Sequence, residues 1–442
     1  EPLPGGAGPA HPLGACPLGC RGRKARKSLG VMPYGGFDVY IGENEVGRGV
    51  RMHRVPVLVY RDKLLPISET FVSEPTVHFE HFDAYFFGST LAQKGIALPS
   101  EKTFVVNPSG VRNPQSGAFW REVGFKLAGI LPQDAKVWLD RVAPRLVHAH
   151  FAPDGVLAIP VARYLRVPLI VSLLGTDITL DERVALRRSW WGHRLYVLRK
   201  KRLFKEAAKF LVPSMFLWRK ALERGFPEEK MVLLPHGVDL SRFYPRLEQV
   251  EFGRVLYVGR LIELKGLPYI MEALAYLRPN YPMIKLVVIG DGPERFKYET
   301  LGKRLLGEQI EFMGAQPLEV VAQEMRKAYI FSLPSIEMPD GTTEAFGMVY
   351  AEAQASGVPV VAFAVGGVPE VVEHGQTGFL SAQKDVASLA GHIRLLLENP
   401  TLRAEMGLKA RERAERFFDI KKRAAELEHL YDQVVRGECG TG

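Results

Sequence analysis

The sequence predicts an α/β protein built from two doubly wound parallel-sheet domains that face each other across a cleft. Three observations carry this. From Arg54 onward, short apolar runs alternate with longer amphipathic ones, the pattern that lays down parallel sheets through right-handed crossover helices. The runs fall into two series that meet near residues 235–250. The length, 442 residues, suits two domains at roughly 100–200 residues each.

Composition sets the outer limits. With 47% hydrophobic, 24% charged and 10% aromatic residues, disorder, collagen-like repeats and a coiled coil are excluded for most of the chain. Lys and Arg total 58 against 49 acidic residues, a net charge of +9. That surplus favours an acidic partner, be it a phosphate-bearing substrate, nucleic acid or anionic lipid. Cys16, Cys20 and Cys439 lie near the two ends, so no disulfide or zinc framework supports the fold and a reducing compartment is expected. The most apolar stretch, Gly155 to Gly175, is interrupted by Arg163 and Arg166, which leaves no membrane-spanning run. No secretory leader pattern is present. The expected location is cytoplasmic, with peripheral contact on the inner face of the membrane.

Along the chain, residues 1–51 are rich in Pro and Gly and carry the basic run Arg21–Lys27. They read as a disordered tail or as sequence foreign to the protein, with Met52 the expected native start. The first domain is expected over 52–240. Its buried strands are VPVLVY (55–60), AYFFGS (84–89), TFVVN (103–107), LVHAHF (146–151), PLIVSLL (168–174) and KFLVPS (209–214). The second is expected over 241–416, with strands at 255–261, 284–293, 310–315, 330–335 and 358–367 and helices from Pro268 to Leu277 and Glu344 to Ser356. Phe417, Ile420, Ala424, Leu427, Tyr431 and Val434 make one apolar stripe. A helix over 417–436 is therefore expected to pack back on the first domain.

Several chemistries are missing. No GxGxxG fingerprint follows the first strand, and no P-loop, HExxH or GxSxG motif occurs. No Asp-x-Asp pair after a strand offers a seat for a diphosphate-bound metal. What remains is a set of loops at the C-terminal ends of the second series of strands, where open parallel sheets bind ligands. Gly259 and Arg260 precede Lys265 in VGRLIELKG; two cations five residues apart can hold a diphosphate and neutralise it as it leaves. Asp291 and Gly292 form a tight turn after the next strand. The segment Glu337–Gly347 leads into a helix whose N-terminus can present N–H groups to an anion. Glu352 lies eight residues beyond Glu344, about 12 Å if both sit on that helix.

Together VGRLIELKG, IGDGPE, EAFGMVYAE and GVPVVAFAVGGVPEVVEHGQTGFL resemble the retaining glycosyltransferases of family 4, over roughly Pro56 to Arg436. The resemblance implies the GT-B fold, two Rossmann-like domains and a C-terminal crossover helix. It implies a metal-independent hexosyltransferase with no resident cofactor, moving a hexose from a UDP- or GDP-linked sugar to a hydroxyl of a glycan or lipid-linked glycan. Catalytic roles carry over to His150, Arg260, Lys265 and Glu344. Donor contacts carry over to Gly259, Arg260, Lys265, Asp291, Gly292, Phe346, Gly347, Met348 and Glu352. LPISETFV (65–72) resembles the first loop of polysaccharide-building members, which puts Ser68, Glu69 and Thr70 on the acceptor side together with Asp177. There Leu174 departs from the usual His, and His236 stands where Asn is common.

Alternatives stay open for several of these residues. His150 reads also as a core histidine at a strand end, and Glu69 as a helix N-cap partner. The group His78, Glu80, His81 and Asp83 is not taken as a metal site. Residues 181–205 carry nine Lys/Arg against two acids, with Trp190, Trp191 and Tyr196 interleaved; they read as a contact for an anionic membrane surface or as a surface helix with its aromatics turned inward. Nucleic acid is not expected as a partner, for want of any binding motif. Two rivals to the transferase are a GT-B nucleotide-sugar epimerase and a non-catalytic nucleotide-sugar-binding protein.

Overall fold

A computed structural model describes residues 54–66, 69–92, 95–111, 113–188 and 191–437. The expected tail of residues 1–51 and Ser68 lie outside them. The first seven-stranded sheet is wholly parallel. In chain order the strands are β1 (Val55–Tyr60), β2 (Lys63–Leu64), β3 (Phe82–Gly88), β4 (Thr90–Leu91), β5 (Thr103–Val105), β6 (Leu146–His150), β7 (Leu169–Ser172), β8 (Ala207–Val212) and β9 (Met231–Leu233). The sheet runs β5-β3-β1-β6-β7-β8-β9, with β2 and β4 as a separate short pair. Strands such as β6 and β7 are buried along their whole length, as sheets covered on both faces require.

Among the described residues these strands are accompanied by the α-helices α1 (Thr70–Val77), α2 (Gly117–Ala128), α3 (Gln133–Val142), α4 (Ala152–Leu165), α5 (Thr176–Thr179), α6 (Glu182–Arg188), α7 (Trp191–Glu206) and α8 (Met215–Glu223). The second sheet, also parallel, is formed by β10 (Arg254–Val258), β11 (Lys285–Ile289), β12 (Ile310–Gly314), β13 (Ile330–Phe331), β14 (Val360–Phe363) and β15 (Gly378–Ser381), in the order β12-β11-β10-β13-β14-β15. Its helices are α9 (Leu267–Leu277), α10 (Arg295–Leu306), α11 (Leu318–Lys327), α12 (Met348–Ala355), α13 (Val368–Val371) and α14 (Val386–Glu398), followed by α15 (Pro400–Phe417) and α16 (Ile420–Arg436). In both sheets the chain starts in the middle and turns back, which puts a topological switch point beside β1 and beside β10.

Several elements differ from the sequence expectation. β9 and β15, of three and four residues, carry too little apolar pattern to stand out. The helix expected from Glu344 begins only at Met348. Gly347 holds a left-handed φ of +82°, so the backbone cannot run helically through it and Glu344 sits on a loop. The stripe expected over 417–436 is split: Phe417 closes α15, and Asp419 starts α16 by accepting from Lys421 N at 2.9 Å. A backbone bond from Val238 N to Phe418 O holds the break in place.

α16 does cover the first sheet. Ala424, Leu427, Leu430, Tyr431 and Val434 share one buried cluster with Val57, Val59, Phe79 and Phe82, each large side chain contributing roughly 1.5–3 kcal/mol by leaving water. The Glu428 carboxylate accepts from the backbone N–H groups of Glu80, His81 and Phe82 at 2.8–3.0 Å. Among the described residues no helix is long and apolar enough to cross a membrane.

Candidate active site

The loops after β10 and β11 are locked together by backbone. Gly259 N donates to Ile289 O and Leu261 N to Asp291 O, both at 3.0 Å. Gly290 approaches so closely that a Cβ there would stand 1.9 Å from Gly259 O. Asp291 turns its carboxylate onto Gly292 N at 2.8 Å. From this platform Arg260 points outward, exposed, and its guanidinium has no side-chain partner among the described residues. Lys265 ends a short 3-10 turn, Glu263–Lys265, and its Nζ meets Glu344 Oε2 at 2.5 Å. Ser335 Oγ donates to the same oxygen at 3.1 Å. Residues far apart in sequence, 265 and 344, thus form one charge pair at the C-terminal edge of the second sheet.

Beyond Glu344, Phe346 is buried against His236 and Phe418, with ring centroids 5.3 and 5.6 Å away. Gly347 and Met348 open α12, and Glu352 lies one turn in. Glu352 is 6% exposed, and no hydrogen bond to its carboxylate occurs among the described residues. Burial pushes that carboxyl up to about 8; Glu74 adds to the rise and Arg242 opposes it. Glu74 and Arg242 are themselves ion-paired.

From the first domain, β6 ends in His148 and His150, whose rings stack 4.3 Å apart. His148 is held at both nitrogens, Nδ1 by Tyr431 OH at 2.6 Å and Nε2 by Ser172 Oγ at 2.8 Å. Nδ1 of His150 is buried without a partner. Burial drives the His148 ring down to about 3 and holds His150 well below the usual histidine range, with His148, Arg61 and His236 adding to the fall. Both are therefore neutral near pH 7. With Leu174, His236, Arg423 and Phe71 they line a cavity of about 50 Å³, which fits a few water molecules but no sugar ring. Leu174, the departure from the family pattern, thus still borders His150's cavity.

Next to His150, Phe151 adopts a left-handed φ of +76°, rare for an aromatic residue, and lies 4.3 Å beneath the Arg61 guanidinium. Arg61 takes both oxygens of Glu69 at 2.8 Å and one of Asp154 at 2.6 Å. Lys126 extends the network to Asp62 at 2.9 Å and Glu122 at 2.7 Å. Burial pushes the Asp154 carboxyl up to about 6, against the pull of Arg61. Glu69 occupies the N-cap of α1 but makes no capping bond; the N-cap reading is corrected, because Arg61 claims the carboxylate. Thr70 is the first residue of α1. Asp177 is buried and accepts from Ala152 N, Leu174 N and Gly175 N at 2.8–3.2 Å, so it shapes the turn after β7 and covers the start of α4. Of this network, sequence reasoning found only Glu69. Asp154, a lone carboxylate in the apolar run from Ala152 to Ala162, was the signal that could have exposed the rest.

Two families match this chain in sequence. Residues 91–242 match the description Glycosyltransferase Family 4, and residues 246–413 match Glycosyl transferases group 1. WcaL of Salmonella typhimurium, a glycosyltransferase attributed to colanic acid biosynthesis, is 30% identical over 294 residues, which are 65% of this chain and 70% of the relative. The chain is a group 1 glycosyltransferase. AmsK of Erwinia amylovora, an amylovoran biosynthesis glycosyltransferase, is also 30% identical, over 53% of this chain and 58% of its own length. Solved structures share the GT-B fold. Sucrose-phosphate synthase from Thermosynechococcus elongatus superposes with a TM-score of 0.70 at 21% identity, covering 87% of this chain and all of that one. Anabaena HepE in complex with UDP-glucose gives 0.66 at 20%, over 86% of this chain and all of its own. This glycosyltransferase therefore carries its charge pair and its histidine edge on the two halves of a GT-B scaffold.

Proposed function

We propose that the enzyme transfers a hexose from a UDP- or GDP-linked sugar to a hydroxyl of a glycan or lipid-linked glycan, with retention at the anomeric carbon and without a metal ion. The observation that carries this is the Lys265–Glu344 pair, with the exposed Arg260 five residues before Lys265 and its guanidinium without a side-chain partner among the described residues. A donor diphosphate arriving there gives both cations an anionic partner and frees Glu344 to accept from sugar hydroxyls. As the bond to the anomeric carbon breaks, Arg260 and Lys265 stabilise the charge that develops on the diphosphate. The leaving oxygen then takes the proton of the acceptor hydroxyl attacking on the same face. The high-lying carboxyl of Glu352 suits hydroxyl recognition, here of the ribose, because a buried acid with no hydrogen-bond partner among the described residues gains most from new hydrogen bonds.

The acceptor is read from two supports. The relatives WcaL and AmsK are attributed to exopolysaccharide synthesis, and the first domain bears a basic face. On α7, Arg194, Lys201, Arg202 and Lys205 are exposed, and Leu198 among them is 76% exposed. Tyr196 is turned inward, while Trp190 lies outside the described residues. Such a face suits an anionic membrane that presents a lipid-linked acceptor.

Proton NMR of the anomeric signals, followed through a reaction with an α-linked donor, tests the central step. An α-linked product formed equally well in EDTA is expected. An inverted product, or activity abolished by EDTA, would contradict the proposal.

A further inference from the structure

We propose that Glu370 is a positioning residue that registers closure of the two domains at Glu344; this rests on the reading of Glu344 as a donor-sugar residue. The first turn of a helix leaves its N–H groups without helical partners. In α8, on the first domain, Ser214 Oγ accepts from Leu217 N at 3.2 Å. The N–H groups of Met215 and Phe216 donate to Glu370, at 2.6 and 2.5 Å. Glu370 belongs to α13, on the second domain. The start of α8 is therefore completed only when the domains meet, and by an anion, which a helix N-terminus attracts.

The same contact reaches the donor loop. α13 follows Gly366 and Gly367, and Gly367 N donates to Glu344 O at 2.9 Å. The packing is tight enough that a Cβ on Gly366 would lie 1.9 Å from that oxygen. Ser214 Oγ meanwhile donates to the next carbonyl, Ala345 O, at 2.7 Å. The backbone of Glu344 and Ala345 is thus gripped by the start of α8 twice, once through Ser214 and once through Glu370 and the Gly366–Gly367 turn. A further bond, Asp181 N to Asp340 O at 2.9 Å, joins the domains at the upstream end of the same loop. Opening the cleft breaks these bonds together. It returns two N–H groups to water and loosens the backbone that aims Glu344 at Lys265. Closing the cleft again restores the grip.

Glu370→Ala and Glu370→Gln in the full chain test this. Small-angle scattering without ligand should give a larger radius of gyration for Glu370→Ala than for wild type, with Glu370→Gln between them because one uncharged oxygen remains to accept. On the donor that the wild type consumes, kcat should fall about tenfold in Glu370→Ala while donor KM stays within about twofold and the melting temperature holds. An unchanged radius overturns the proposal. So does a larger radius with unchanged kcat, or a parallel loss of UDP and GDP affinity, which would make Glu370 part of the nucleotide site itself. A wild type that turns over no nucleotide sugar would sink the transferase reading, and the scattering comparison would still decide whether Glu370 holds the domains closed.

Discussion

The two sides of the cleft are built in opposite ways. On the second domain, backbone does the positioning: glycine-lined turns interlock the loops after β10 and β11, and the ion pair Lys265–Glu344 is set on top. On the first domain, side chains do it: Arg61, Glu69, Asp62, Asp154, Lys126 and Glu122 form one partly buried network around the strained Phe151. Backbone locks need particular residues at particular spacings and tolerate almost no change. Charge networks need partners, which can come from anywhere in the chain. The first arrangement suits a ligand part common to many substrates, such as a nucleotide diphosphate. The second suits a part that differs between enzymes, such as an acceptor.

The largest effect expected from breaking this contrast is at Gly290. Gly290→Ala puts a Cβ into Gly259 O at a φ of +146°, and should cost more than about 4 kcal/mol in stability. Thermal unfolding and UDP and GDP titrations should show a destabilised protein that binds neither nucleotide. Next comes Arg61→Met, which leaves Glu69 and Asp154 facing each other without a cation and should cost about 3–4 kcal/mol. Calorimetric titration should find nucleotide affinity unchanged in that variant, and adding Asp154→Asn should recover part of the loss. If Arg61→Met weakened nucleotide binding as much as Gly290→Ala does, the division between the two sides would fail.

Lys265→Ala should lower kcat/KM by about 3 kcal/mol, or about 150-fold, with the fold intact. Smallest is Glu352→Gln, which tests one buried charge. Burial raises the folded carboxyl from 4.5 to about 8, so the folded chain holds a proton there that the unfolded chain gives up. The stability this lends is fully present below pH 4.5 and is lost as pH rises through about 8. Glu352→Gln should flatten that dependence, gaining stability relative to wild type as pH rises from 5 to 9. Melting curves from pH 5 to 9 that run parallel in the two proteins would refute it.

The same contrast explains what was legible in the sequence. Most of both sheets was readable because their strands are continuous apolar runs, and the candidate donor loops were readable because each is a contiguous motif such as Gly259–Lys265 or Glu344–Glu352. What failed was local geometry: one left-handed glycine, Gly347, moved Glu344 off its helix, and Asp419 cut the terminal stripe in two. The first-domain network was nearly invisible, since Arg61 meets Asp154 across 93 positions and no periodicity links them. Asp177 showed its motif but not its destination, because three backbone donors, rather than an open cleft, decide where its carboxylate goes.

The most direct test of the account is a donor screen with UDP-, GDP- and ADP-sugars. Free nucleotide release would be followed with and without a membrane lipid extract, in wild type and in Glu344→Ala. The account predicts extract-dependent release from one UDP- or GDP-linked donor by the wild type, and none by Glu344→Ala, which should keep its melting temperature. Equal release by the two proteins would contradict the site. Nucleotide binding by the wild type without release from any donor would show a GT-B protein that binds and does not transfer.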